Sequence, residues 1–165
     1  MIMGSANSGK RAFSSYERQV KRLALKNKDR IIFTGYVDNS EVYKYAAAAD
    51  VQCLPTLTQE AAPLVILEAM AEGLPLIVTK SGGVTEYIDD STALIIEKEN
   101  VTENLKKAIC YMKDHHEVRK QMSENAKAKS EKYNEETYYK NFVKMVYDIA
   151  EENRENITGG QQKNG

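Results

Sequence analysis

The 165 residues provide enough chain for one domain with a sizeable core, and 23 basic against 24 acidic side chains give a net charge of −1, so the composition does not indicate a polyanion-binding protein. No apolar run approaches the roughly 20 residues that span a bilayer, and the N-terminus lacks a signal-peptide pattern, so a cytoplasmic location is the default expectation. The two cysteines, Cys53 and Cys110, are not in a CxxC pair. We predict that both are reduced core residues, with no disulfide framework and no zinc site.

The N-terminal stretch Met1–Met3 predicts a short strand that runs into a glycine turn. Gly4 to Lys10 has the G-x4-G-K spacing of a phosphate-binding loop, but Arg11 stands where Ser or Thr would bind magnesium. We therefore favour a flexible loop between a strand and a helix.

A basic amphipathic helix is predicted over Phe13 to Lys26, with an apolar face made by Tyr16, Val20, Leu23 and Ala24. Its cationic cluster could attract nucleic acid. A solvated face is the favoured interpretation, because acidic residues elsewhere balance the charge and no aromatic residues are interleaved. Strands near 30–33 and 50–54 follow, with a helix over Glu41 to Ala49 between them.

The central segment, Pro55 to Tyr87, predicts a loop, an apolar helix, a strand and a glycine turn. Pro63 suits the first helical position, and Gly73 suits the C-terminal stop. The amides of Ala61, Ala62 and Leu64 would then lie at or near a helix N-terminus, which favours an anion such as phosphate.

Two carboxylates stand eight residues apart in this segment: Glu60 in the loop before the helix and Glu68 about five residues inside it. A carboxylate in so apolar a helix is costly to bury without partners, which would be backbone donors or the hydroxyl groups of a ligand. The alternative is that one is a surface carboxylate and the other caps the helix.

A strand over 75–78 leads to the turn Lys80–Gly83, at the edge of the sheet where open α/β folds bind ligands. Gly82 and Gly83 either allow close approach of a ligand or serve only the turn, and Glu86 is interpreted as a helix-end or surface group. After a further strand over 93–96, apolar stripes predict three helices, whose stripes are expected to be core. The last stripe contains Tyr138, Tyr139, Phe142, Val143, Val146 and Ile149. The domain is predicted to span residues 1–153, and the polar residues 154–165 are expected to be a disordered tail.

The order of these motifs resembles a known family. The E-x7-E spacing of Glu60 and Glu68, the run Leu67–Pro75, and Ser81-Gly82-Gly83 followed by Glu86 are similar to the retaining glycosyltransferases of group 1, family 4. The resemblance extends over roughly residues 1–145. It implies a GT-B fold, in which this chain would be the nucleotide-sugar-binding C-terminal domain. The alternation of strands and helices independently predicts an α/β, Rossmann-like parallel sheet sandwiched by helices.

The resemblance also implies roles for individual residues. Glu68 would accept hydrogen bonds from the ribose of a UDP- or GDP-sugar, and Glu60 would contact the donor sugar near the reacting centre. The distal phosphate would be cradled by the amides of Ala61, Ala62 and Leu64, at the start of the helix that Pro63 begins. Gly4 would lie beside the donor site. No metal or other cofactor is expected. Relatives commonly have glycine and an aromatic residue after the first Glu, whereas this chain has Ala61-Ala62-Pro63, whose methyl groups would narrow the phosphate approach.

The resemblance further implies that an acceptor-binding domain, and a basic pair that grips the diphosphate, precede the matched region, so the chain is expected to be N-terminally truncated. The leading hypothesis is a glycosyltransferase donor-binding domain that serves surface polysaccharide or glycoconjugate synthesis. Any association with the inner face of the membrane would be made only through the preceding domain. The alternative is a non-catalytic nucleotide-sugar-binding or scaffold module that acts with a separate acceptor-domain chain. A sugar-nucleotide epimerase has no specific support, and an NAD-linked oxidoreductase is disfavoured because no G-x-G-x-x-G follows a strand.

Overall fold

The computed structural model describes residues 1–3, 14–59 and 64–160, with side chains described as far as residue 154. Strands and helices alternate as predicted. The strands are β1 (Ile2–Met3), β2 (Phe33–Gly35), β3 (Gln52–Leu54), β4 (Leu76–Thr79) and β5 (Ala93–Ile96). The helices are α1 (Ser15–Lys26), α2 (Asn39–Ala47), α3 (Leu64–Ala71), α4 (Val84–Tyr87), α5 (Val101–Asp114), α6 (His116–Ser130) and α7 (Glu135–Gly160).

The chain divides into two compact units, Met1–Ala48 and Ala49–Gly165, where the sequence had predicted one domain over 1–153. In the first unit β1 pairs with β2 in parallel. A capping box starts α1: the Ser14 hydroxyl accepts from the Glu17 amide, and the Glu17 carboxylate accepts from the Ser14 amide. This pulls Glu17 inward, so the buried side of α1 contains Glu17 and Ala24 while Tyr16 and Leu23, predicted to be apolar-face residues, are exposed.

The second unit is built on the parallel sheet β3-β4-β5. β4 is the central strand, and all four of its residues are buried, as expected for a strand that is covered on both faces. Helix α5 packs against β4 and β5, and α6 packs against both α5 and α3. Ile77 of β4 and Met112 of α5 belong to the core cluster that this packing encloses. The predicted α/β class with parallel sheets flanked by helices is therefore confirmed.

Helix α3 ends where the sequence predicted, at Gly73. The Leu74 amide donates to the Ala69 carbonyl over 2.8 Å, and the Gly73 amide donates to the Met70 carbonyl over 2.9 Å. This is a Schellman motif, and it requires the left-handed φ of +70° that Gly73 adopts. A Cβ at Gly73 would lie 3.2 Å from the Ser123 Oγ, so the glycine also permits close approach of α6.

The prediction that both cysteines are buried is wrong, because Cys53 and Cys110 are free and exposed. Cys53 lies on β3, an outer strand of the three-stranded sheet, between two half-buried residues. On α5 the buried positions are Ala108 and Met112. Cys110 is two residues from each, and therefore lies on the opposite side of a helix that turns about 100° per residue.

Helix α7 also differs from its prediction. Its aromatic and aliphatic stripe was expected to be core, but only Val143 is half-buried. The exposed members are Tyr138, Tyr139, Phe142, Val146 and Ile149. The helix continues through Gly160, where the sequence predicted an aperiodic tail from Arg154. None of the described helices combines the length and the apolar character that a membrane span requires.

Candidate functional site

The candidate site lies at the carboxyl edge of the β3-β4-β5 sheet. The strands are parallel, so the loop after β3 and the turn after β4 emerge from the same edge, which is where open α/β sheets bind ligands. The loop after β3 leads to α3, and the turn after β4 leads to α4. These are the two segments in which the sequence placed its candidate residues.

The two sides of α3 have different surroundings. Ile66, Ala69 and Met70 are buried and fix the helix within the unit. Leu64 and Glu68 are four residues apart, hence on one side, and both are exposed. Among the described contacts, the Glu68 carboxylate has no hydrogen bond or ion pair. Burial therefore does not require a partner for Glu68, and its carboxylate is accessible to a ligand.

The described loop after β3 is held by side chains from two neighbouring segments. The Thr79 Oγ1 donates to the Thr56 carbonyl, and the Ser81 Oγ donates to the Thr58 carbonyl. Between them, the Lys98 Nζ donates to the Leu57 carbonyl over 3.3 Å. Three successive carbonyls of one loop thus accept side-chain hydrogen bonds. We refer to the donors Thr79, Ser81 and Lys98 as the carbonyl clamp.

The carbonyl clamp was not found by sequence reasoning. Ser81 belonged to a quoted motif, but for its place before the glycines and not for its hydroxyl group. Thr79 ends an apolar strand, and a polar residue there was a usable indication of a hydrogen bond, because a buried hydroxyl needs a partner. Lys98, which follows β5, carried no comparable indication.

The turn after β4 depends on Gly82, which has a φ of +53°, a backbone conformation that favours glycine. Gly83 occupies the N-cap of α4, and the Val84 amide donates to the Ser81 carbonyl over 3.2 Å. The glycines therefore have a demonstrable role in the turn. Glu86 is exposed, in agreement with its interpretation as a surface group.

The titratable groups near the sheet give no sign of a metal centre. No group of three or more His, Cys, Asp or Glu side chains within the described ranges could hold a metal ion. Neighbouring atoms desolvate the Cys53 thiol and raise its pKa, although part of the side chain is exposed. His115 caps the C-terminus of α5, and its ring stacks on that of Tyr111 with a centroid separation of 4.0 Å.

Of the predicted site residues, the structure describes Leu64 and Glu68, and it places them on one helix. Gly4, Glu60, Ala61, Ala62 and Pro63 lie outside the described residues, so their roles stay predictions. Gln59, the last described residue before them, is joined directly to Glu60. The carbonyl clamp therefore holds residues 56–58, and the last of these lies two residues before Glu60, where the predicted donor-binding segment begins.

The parallel sheet β3-β4-β5 with its flanking helices defines a Rossmann-like α/β domain. A family model described as "Glycosyl transferases group 1" matches residues 5–129. The chain belongs to the group 1 glycosyltransferases.

Individual relatives agree with this assignment. The chain is 31% identical over 144 residues to N-acetyl-alpha-D-glucosaminyl L-malate synthase of Bacillus anthracis, covering 86% of the chain and 36% of that protein. It is 33% identical over 92 residues to a GDP-mannose-dependent monoacylated alpha-(1-6)-phosphatidylinositol monomannoside mannosyltransferase of Corynebacterium glutamicum, covering 52% of the chain and 24% of that protein. The fold matches that of Anabaena Alr3699/HepE in complex with UDP, with a TM-score of 0.72 and 22% identity over 88% of the chain and 40% of that structure. The chain thus spans well under two thirds of each of these proteins.

Proposed function

We propose that this chain forms the nucleotide-sugar-binding part of a glycosyltransferase. The reaction moves a sugar from a UDP- or GDP-sugar to an acceptor with retention of configuration, in the synthesis of a surface polysaccharide or glycoconjugate. The observation that carries the proposal is the family match over residues 5–129, which contains both Glu60 and Glu68. Support comes from a similar fold in a protein solved with UDP.

In this proposal Glu68 recognises the nucleoside. Its exposed carboxylate on α3 accepts hydrogen bonds from both ribose hydroxyls, and such charge-assisted bonds are roughly twice as strong as neutral ones. The buried side of α3 keeps the Glu68 backbone in place while the carboxylate faces away from the core. The arrangement separates anchoring from binding within eight residues.

The start of α3 and the residues before it take the phosphate and the sugar. The amides of Ala61, Ala62 and Leu64 cradle the distal phosphate, whose negative charge the helix N-terminus stabilises. Glu60 contacts the donor sugar and stabilises positive charge near the reacting carbon. The leaving diphosphate is stabilised electrostatically, and the proposal includes no metal ion.

The proposal includes an acceptor-binding domain, in the same or a separate chain, because the match covers only 24% and 36% of the two relatives. A second candidate function is a non-catalytic nucleotide-sugar-binding module that acts with a separate acceptor-domain chain. Restoration of transfer only by a partner protein would distinguish this second candidate. The cytoplasmic location at the inner face of the membrane stays a prediction.

The test is nucleotide binding by the Glu68→Gln variant. Gln has nearly the same shape as Glu, so the fold is retained, but its hydrogen bonds to the ribose are neutral. We expect UDP or GDP to bind roughly tenfold to a hundredfold more weakly, which corresponds to about 1–3 kcal/mol. Calorimetry measures the affinity, and circular dichroism checks the fold.

Glu72→Gln is the matched control, because Glu72 is an exposed residue immediately after α3. This substitution should leave the affinity for UDP and GDP unchanged. Glu60→Gln should leave the affinity for the free nucleotide unchanged and lower only the affinity for the nucleotide-sugar. Equal affinity of the parent and Glu68→Gln for UDP and GDP would contradict the ribose assignment.

A further inference from the structure

The carbonyl clamp connects the candidate site to parts of the chain that the family motifs do not assign to donor binding. Its first two donors are rigidly placed. Thr79 is fully buried and pairs with Ile96 in the β4–β5 register. Ser81 is 3% exposed, and its carbonyl is tied to α4 through the Val84 amide. The backbone of Thr79 is therefore fixed by the sheet, and that of Ser81 by the glycine turn.

The third donor, Lys98, is placed by α5. The Asn104 Nδ2 lies 3.4 Å from the Glu97 carbonyl and 2.8 Å from the Glu99 carbonyl, so it grips the chain on both sides of Lys98. The Lys98 carbonyl itself accepts from the Val101 amide over 3.2 Å. The backbone of Lys98 is therefore fixed to the start of α5, and its flexible side chain reaches the Leu57 carbonyl from there.

The Lys98 contact differs in kind from those of the two hydroxyls. Thr79 and Ser81 are buried, so each hydroxyl must find an acceptor to offset its desolvation. Lys98 is only half-buried, and water would satisfy its ammonium group. Burial therefore does not require the hydrogen bond that Lys98 donates to the Leu57 carbonyl. The effect of this bond is to hold the loop in position.

We propose that Lys98 and Ser81 are positioning residues for the donor site: they hold the carbonyls of Leu57 and Thr58 and so fix the loop whose last described residue, Gln59, is joined to residues 60–63. The inference rests on the proposed function, which assigns the distal phosphate and the sugar to those residues. A displacement of about 1 Å in a positioning segment can cost about a hundredfold in rate or binding. The clamp thereby links β4, β5 and α5 to phosphate recognition.

The proposal predicts a selective effect on ligands. Glu68, assigned to the ribose, is held by the buried side of α3 and not by the clamp. Loss of a clamp donor should therefore weaken binding of the nucleoside diphosphate, which carries the distal phosphate, and leave binding of the monophosphate unchanged. A general loss of stability would weaken both alike.

The experiment compares UDP with UMP, and GDP with GMP, on Lys98→Met and Ser81→Ala by calorimetry. We expect the preference for the diphosphate to fall about three- to tenfold. Lys129→Met and Ser91→Ala are the matched controls, since Lys129 and Ser91 bind Asp89 elsewhere in the same unit. Lys98→Arg keeps a cationic donor and should restore the preference.

A second measurement follows the loop without any ligand. Amide hydrogen exchange at residues 57–59 should accelerate in Lys98→Met and Ser81→Ala and stay unchanged in both controls. Unchanged exchange in the two clamp variants would overturn the clamp, and equal weakening of monophosphate and diphosphate would overturn its positioning role. Failure of the parent to bind UDP and GDP would instead overturn the proposed function, so the two failures are distinguishable.

Discussion

Asp89 is the residue whose charge the structure ties most directly to stability. Its carboxylate accepts from the Lys129 Nζ at 2.7 Å and from the Ser91 hydroxyl at 2.5 Å, and these contacts lower the Asp89 pKa from 3.8 to about 2. The ion pair joins the loop before β5 to α6. The Asn125 side chain, also on α6, donates to the Ser91 carbonyl over 3.0 Å and strengthens the same connection.

The sign of the pH dependence follows from the lowered pKa. The folded state favours the charged carboxylate, so the contribution of Asp89 is present above pH 4 and is lost as the pH falls toward 2. Its size should stay below about 1 kcal/mol, because the side chain is 55% exposed. Asp89→Asn should flatten this part of the profile of unfolding free energy against pH, as followed by urea denaturation.

Asp90→Asn is the control for that measurement, because Asp90 is exposed and makes no hydrogen bond or ion pair among the described contacts. It removes the same formal charge without touching Lys129. If Asp89→Asn and Asp90→Asn have the same pH profile between 4 and 2, the ion pair does not contribute.

Prediction at the residue scale succeeded for position and did not determine the environment. The sequence placed Glu68 inside a helix, correctly, but left open whether its carboxylate is buried with partners or exposed at the surface. An apolar helix with no polar stripe gives no indication of which side is open. Here the one acidic residue marks the exposed side, and the burial of Ile66 and Met70 shows it.

At the scale of the element, Gly73 combines two requirements in one position. Its φ of +70° costs any residue with a Cβ about 1–2 kcal/mol, and the added atom would lie 3.2 Å from the Ser123 Oγ. We expect Gly73→Ala to lower the free energy of unfolding by about 1–2 kcal/mol or slightly more, measured by urea denaturation.

Two further variants separate the cost of backbone strain at Gly73 from the cost of the contact with Ser123. Gly35→Ala has nearly the same φ, +71°, with nothing within 4 Å of the added Cβ, and it reports backbone strain alone. Ser123→Ala removes the nearest atom, so the double variant Gly73→Ala with Ser123→Ala should lose less stability than the two single changes added together. Strict additivity would show that the close approach to α6 has no energetic effect.

The elements themselves were predictable to the extent that local chemistry determines them. Gly73 stopped α3 as expected, and β5 has the predicted bounds. β2 begins at Phe33, where the predicted strand ended, because the run of apolar residues before it gives no boundary. The stripe on α7 was misassigned as core because periodicity shows that a side is apolar and does not show what covers it.

At the scale of the whole molecule, the alternation of strands and helices was sufficient for the fold class, since βαβ connections produce parallel sheets. The division into two units was not predictable in this way. It depends on which strands pair, and the sheets β1-β2 and β3-β4-β5 have no distinguishing sequence pattern. The sequence motifs predicted the family, whereas the hydrogen bonds of the carbonyl clamp are visible only in the folded structure.

The last prediction concerns the activity of the 165 residues alone. We expect the purified chain to bind a nucleotide-sugar and to transfer its sugar negligibly. Transfer needs donor and acceptor held in reacting geometry, which accounts for several orders of magnitude in rate, and the chain covers only 24% and 36% of two relatives. The measurement pairs calorimetry of UDP- and GDP-sugars with a labelled-sugar transfer assay on the same preparation. Binding without transfer agrees with a donor-binding part, whereas robust transfer by this chain without another protein would show that acceptor binding and catalysis both lie within these residues.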